Sequence, residues 1–117
     1  MTTTPRTAPR TFTIRIDTRE QNPFTFASVN MPVLPFSTVR ATLKTGDYDL
    51  AEFAERPVAE RVVVERKSLA DLYGTLSRGR ERFEREILRM AEYGYAAIVI
   101  EATYTEIATP NWHLPHA

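Results

Sequence analysis

Cysteine is absent from the 117 residues, which excludes a disulfide framework and a thiolate metal site and makes a reducing, intracellular setting the natural expectation. No apolar run approaches the ~20 residues that span a bilayer, and the N-terminus lacks the apolar segment of a secretory signal. A basic excess is missing too. Fifteen Lys and Arg residues balance fifteen Asp and Glu residues, so total charge gives no sign of a nucleic-acid partner. There is no internal repeat and no low-complexity tract. What is present is an ordinary globular balance, 43% hydrophobic and 26% charged, in a length suited to one domain with a modest core.

Residues 1–10 carry two prolines, Arg6 and Arg10 and little apolar content, which predicts a disordered arm ahead of a domain at 11–117. Phe12, Ile14 and Ile16 alternate with polar residues and predict a strand ending at Asp17-Thr18-Arg19-Glu20. Asn22-Pro23 breaks the pattern, and the three prolines over 22–35 predict irregular chain. A second strand is expected over 37–43, a glycine turn at Lys44-Thr45-Gly46-Asp47, a third strand over 48–53 and a fourth over 58–65. Together these read as an antiparallel meander. Ser68 is a good N-cap, with Ser-x-x-Asp over 68–71 as a capping-box variant opening a helix to about Leu76. A longer helix is expected over 80–93, closed by Gly94, with Phe83, Ile87 and Met90 as its apolar stripe and Leu88 and Ala91 widening it. Tyr95 to Glu101 is a second buried strand, and a helix between two buried strands predicts a parallel crossover. Past Glu101 the signal fades; Trp112 reads as a packing residue and His113 and His116 as tail rather than metal ligands.

The chemistry concentrates where Val62-Val63-Val64 runs into Glu65-Arg66-Lys67. Strand alternation puts Glu65 and Lys67 on one face and Arg66 on the other. Magnesium takes hard oxygen ligands, often one or two carboxylates with water and substrate phosphate. Asp47, delivered by the glycine turn, and Glu65 can supply that pair when their strands are neighbours. Lys67, about 7 Å further along the strand, can orient water or meet developing negative charge. Such a set suits metal-assisted phosphodiester hydrolysis. A frayed strand end with solvated charges is the bland alternative. Asp17 and Glu20 either complete the acidic cluster or form a polar turn. Arg78, Arg82, Arg85 and Arg89 fall on one side of a helix and can hold phosphates, although Glu81, Glu84, Glu86 and Glu92 offer intrahelical pairing instead.

Gly46-Asp47 followed by Glu65-Arg66-Lys67-Ser68-Leu69-Ala70-Asp71 resembles the Gly-Asp … Glu-Arg-Lys-x-x-x-Asp signature of the XPF-type nucleases, and Asp17-Thr18-Arg19-Glu20 resembles that family's earlier Asp-x-Arg-Glu element. The resemblance covers roughly residues 12–101. It implies an α/β restriction-endonuclease-like core, a central mixed β-sheet flanked by helices. It also implies metal-dependent, structure-selective cleavage of DNA at single-strand/double-strand junctions such as flaps, forks and bubbles, in repair or recombination. On that resemblance Asp47 and Glu65 bind Mg2+ or Mn2+ with Asp17 as a further ligand, and Lys67 acts in catalysis. Glu20 and Asp71 support the acidic site, and Arg19, Arg66, Arg78 and Arg82 are candidate DNA contacts, Arg66 with a structural role ahead of that.

Members of the family generally carry a tandem helix-hairpin-helix module and act as dimers. For a domain shortened after the strand ending near residue 101, this implies a dimer partner or an additional DNA-binding domain, with no membrane association. The expected setting is the cytoplasm or nucleoid of a prokaryote or phage-infected cell, or a nucleus. The other functional class is a catalytically silent, branched-DNA-binding or scaffold subunit; such partners typically lose the acidic set, whereas Asp47, Glu65 and Lys67 are all present here.

Overall fold

The protein was analysed as a computed structural model that describes residues 11–26 and 35–109. The expected arm at 1–10, part of the proline-rich irregular stretch (27–34) and the tail with Trp112, His113 and His116 lie outside the described residues. The described chain forms β1 (Phe12–Asp17), β2 (Phe36–Ala41), β3 (Tyr48–Leu50), β4 (Val62–Ser68), α1 (Leu69–Leu76), α2 (Arg80–Met90), β5 (Tyr95–Glu101) and α3 (Tyr104–Ala108).

The five strands make one mixed sheet in the order β2-β1-β3-β4-β5. β1 and β2 run parallel, β3 lies antiparallel to both β1 and β4, and β4 and β5 run parallel through Ser68↔Glu101. The α1–α2 crossover between β4 and β5 is as the sequence predicts. The antiparallel meander is not. β2 lies outside β1 as a parallel edge strand, and the connection over 18–35 is long enough for the return that parallel pairing requires.

Strand limits differ for local reasons. β3 stops at Leu50 and the chain coils into a 3-10 turn at Ala51–Phe53, where Glu52 Oε1 accepts from the Thr13 N–H at 2.8 Å in place of a ladder bond. Val58–Glu60 is a second 3-10 turn rather than the start of a strand. β4 therefore begins at Val62 and continues through Glu65-Arg66-Lys67 to Ser68, so the charged triplet lies inside a paired strand. Along β4 every second residue is buried: Val63, Glu65 and Lys67. Ser68 ends the strand and caps α1, its Oγ accepting from the Asp71 N–H at 3.1 Å.

The second helix departs from its expected packing. It ends at Met90, and it turns Phe83, Glu86 and Met90 inward while Ile87 and Leu88 are 41% and 68% exposed. Gly94 serves a close approach, since a Cβ there would overlap the Ala59 carbonyl oxygen. The short helix α3 went unforeseen, although Thr103 and Glu106 form a full capping box with mutual bonds of 3.1 and 2.9 Å.

Gly46 is the pivot of the turn into β3. Its φ is +74°, and an added Cβ would overlap Val63 Cγ2 and come within 3.1 Å of the Val64 carbonyl oxygen. Gly46→Ala is expected to lower unfolding stability by about 2 kcal/mol or more, measured by urea denaturation. Gly79→Ala, whose nearest neighbour is an ordinary 3.4 Å contact, should stay within about 0.5 kcal/mol.

Candidate active site

Asp47 sits one residue before β3 and is held from three directions. Its N–H donates to the Val64 carbonyl at 2.9 Å, its own carbonyl accepts from the Asp17 N–H at 2.8 Å, and its Oδ2 accepts from the Arg66 N–H at 2.8 Å. The turn made possible by Gly46 thus wedges the Asp47 carboxylate between the end of β1 and the Glu65–Arg66 step of β4. Glu65 and Lys67 share the neighbouring face, only 8% and 7% exposed. Lys67 Nζ lies 3.7 Å from Glu65 Oε1 and 5.2 Å from the centre of the Phe83 ring, so α2 roofs this end of β4.

The electrostatics set Asp47 and Glu65 apart from the other carboxylates nearby. Burial, then the charges of Asp47 and Glu86, push the Glu65 carboxyl up to about 7, against a smaller opposing effect of Lys67. Burial also raises the Asp47 carboxyl, with the charges of Glu20, Asp17 and Glu86 adding to it against the hydrogen bond from the Arg66 N–H. By contrast, Asp49 is gripped by Arg15 at 2.6 Å, Asp17 by Arg19 at 2.7 Å and Glu101 by Arg66 at 2.6 Å. Asp47 and Glu65 have no arginine partner among the described residues.

Asp17, 2% exposed, spends both carboxylate oxygens on the protein: Oδ1 accepts from the Leu43 N–H at 3.0 Å and Oδ2 from Arg19 Nε. Burial opposes its ionisation, but the Leu43 and Arg19 hydrogen bonds prevail and hold it below the usual carboxylate range. Glu20 faces the opposite side of the sheet, accepting from Tyr48 Oη at 3.2 Å and lying 3.5 Å from Arg66. Arg66, on the opposite face from Glu65, stacks 4.2 Å above the Phe24 ring and donates to the Asn22 carbonyl and to both Glu101 oxygens. Its side chain is committed to tying β4, β5 and the turn after β1 together.

Asp71 is exposed at the start of α1. It lines an open groove of about 510 Å³ with Arg78, Arg82 and Arg85. Arg19 is 73% exposed at the rim of the site. Two residues escaped the sequence reading. Arg40 donates to the Asp17 and Glu20 carbonyls at 3.2 and 2.6 Å and so clasps the Asp-x-Arg-Glu turn. Glu86, taken for a partner of the helix arginines, turns inward; its signal was a position three after Phe83 and four before Met90.

The donor chemistry fits a hard divalent cation. A buried and a half-buried carboxylate, both with raised proton affinity and no guanidinium partner among the described residues, are the kind of oxygen donors that magnesium or manganese takes, with water and substrate completing the shell. Among the described residues no group of three or more His, Asp or Glu is arranged to hold an ion.

A stability consequence follows from the same strain. Folded Glu65 keeps its proton to about pH 7, whereas the unfolded side chain releases it near 4.5. Metal-free protein is therefore expected to lose stability as pH rises from 4.5 through about 7, by up to about 3 kcal/mol. Glu65→Gln removes the charge, so its melting temperature should exceed the wild type's at pH 8 and not at pH 4.5. Thermal melts in EDTA across that range check it.

With this geometry in view, comparison with known proteins is informative at one level. The ERCC4 domain profile matches residues 16–112, most of the chain. Comparison with curated proteins and with solved structures gives no match. The match covers both acidic motifs and the whole sheet from the end of β1 onward. By that match and by its mixed five-stranded sheet, the chain belongs to the ERCC4 domain family, structure-specific nucleases with a restriction-endonuclease-like α/β fold.

Proposed function

We propose that this domain is an active, metal-dependent endonuclease that hydrolyses DNA phosphodiesters at single-strand/double-strand junctions. The observation that carries this reading is the pair of half-buried Asp47 and buried Glu65, without an arginine partner among the described residues and adjoining Lys67 under α2. Asp47 and Glu65 hold the Mg2+ or Mn2+ ion. When bound, the ion polarises the scissile phosphate and favours hydroxide over water. Lys67, fixed between Glu65 and Phe83, orients the attacking water and meets the charge that develops on the phosphate oxygens. Asp17, whose oxygens are already engaged, is assigned here to anchoring Leu43 and the exposed Arg19 rather than to direct ligation.

The arginine groove supplies the substrate side. Arg78, Arg82 and Arg85 line one concavity with Asp71 beside the start of α1. Arginine there neutralises backbone phosphates and positions the duplex without reading bases. A balanced total charge makes this local cluster the source of affinity. No helix among the described residues is long and apolar enough to cross a membrane. For a partner subunit or further DNA-binding domain this edge offers exposed apolar side chains on two faces, Ile87 and Leu88 on α2 and Tyr95 and Val99 on the opposite face of the edge strand β5.

The test is cleavage of labelled 3′-flap, splayed-arm and plain duplex DNA with Mg2+ or Mn2+, beside an EDTA control. Branched substrates should be cut, and Asp47→Ala and Lys67→Ala should each slow single-turnover cleavage by about 100-fold or more. Arg78→Ala with Arg82→Ala should weaken DNA binding and flatten its salt dependence by about two phosphate contacts. Branched DNA bound but never cut overturns the catalytic assignment in favour of a silent binding subunit.

A further inference from the structure

We propose that Glu86 is a third acidic group of the Asp47–Glu65 site, a positioning residue that reaches a hydrated divalent cation from α2. This rests on the metal-dependent reading above and adds a residue to it.

The helix that carries Glu86 is packed against its own composition. Of its eleven residues Met90 is buried and only Phe83 and Glu86 are half-buried, spaced by three and four, while Ile87, beside Met90 at β5, and Leu88 are left 41% and 68% exposed. Apolar burial alone would rotate a helix of this sequence to cover both. Lys67 Nζ, 5.2 Å from the Phe83 ring, fixes which part of the sheet this inward stripe meets. It is the Glu65–Lys67 face of β4, and Glu86 follows Phe83 along the same stripe. The charge of Glu86 acts on both Asp47 and Glu65.

Arginines were available as partners. Arg82 and Arg89 stand four residues before and three after Glu86, spacings that favour an ion pair on a helix. Among the described residues α2 uses that option at Arg80–Glu84, 3.2 Å apart, and Glu86 has no ion pair. A carboxylate turned away from helical arginines and toward two other carboxylates is disfavoured unless a cation lies among them. Glu86 does not join Asp47 and Glu65 as a direct ligand set. Its reach is through the ion's water, the mode in which outer carboxylates orient a hydrated magnesium ion.

The decisive measurement is Mn2+ binding without DNA, by electron paramagnetic resonance titration, for wild type, Glu86→Gln, Glu86→Asp, Glu84→Gln and Asp47→Ala, each checked for fold by circular dichroism. Glu86→Gln keeps the stem and removes the charge, so the Mn2+ dissociation constant should rise about tenfold. Glu86→Asp restores the charge and should recover to within about threefold of wild type, while Glu84→Gln should leave binding unchanged. Wild-type-like binding by Glu86→Gln, with binding lost in Asp47→Ala, overturns this inference alone. Failure of the wild type to bind Mn2+ overturns the metal reading together with it.

Discussion

Like-charge repulsion between Asp47 and Glu65 is the constraint around which the rest of the site is arranged. Two carboxylates in a partly desolvated strand pair repel by a few kcal/mol at the effective dielectric of a protein, and proteins commonly remove such strain with a neighbouring guanidinium. This chain does so for Asp17, Asp49 and Glu101. It leaves Asp47 and Glu65 with only a backbone N–H and a lysine at 3.7 Å between them. The turn that brings Asp47 there depends on the left-handed backbone of Gly46 against Val63. A turn that only glycine makes without strain and a pair of repelling carboxylates therefore meet at one place in the fold.

The alternation of β4 separates the two tasks that Glu65-Arg66-Lys67 performs. Glu65 and Lys67 share the face that α2 covers. Arg66 faces the other way and joins Phe24, Asn22 and Glu20 of the connection after β1 to Glu101 of β5. A charged triplet inside a buried strand would be destabilising if all its members sought the same partners. Divided between faces, the arginine locks the ends of β4 and β5 together, and its neighbours can then be held with little freedom. Pre-organisation of the reactive pair thus depends on a residue that is itself turned away from it.

What was legible in the sequence is what local chemistry determines. Valine runs give β4 and β5, Ser68 gives the start of α1, and strand alternation gives the faces of Glu65, Arg66 and Lys67. The errors arise where long-range pairing decides. Nothing local says that the strand over Phe36–Ala41 pairs in parallel beyond β1, because its partner is set by where the long preceding connection returns it. Nothing local shortens β3 to three residues; that follows from Glu52 reaching the Thr13 N–H. A motif of residue types also does not show the donors that meet Asp17, the Leu43 N–H and Arg19.

Glu86 shows why a helix face can mislead. Counting apolar residues rotates α2 toward Ile87 and Leu88, the choice that maximises buried hydrocarbon. The fold takes the other rotation, which places Phe83 under the Lys67 ammonium and Met90 in the core. Leaving Leu88 exposed forgoes roughly 1–2 kcal/mol of burial, so the chosen rotation must be held by contacts at both ends of the stripe. Those ends are Phe83 and Met90. Between them Glu86 is half-buried, and its charge acts on both Asp47 and Glu65. The packing of one helix and the charge of the site are thus coupled: α2 cannot rotate to bury Leu88 without withdrawing Phe83 from Lys67 and Glu86 from the acidic pair.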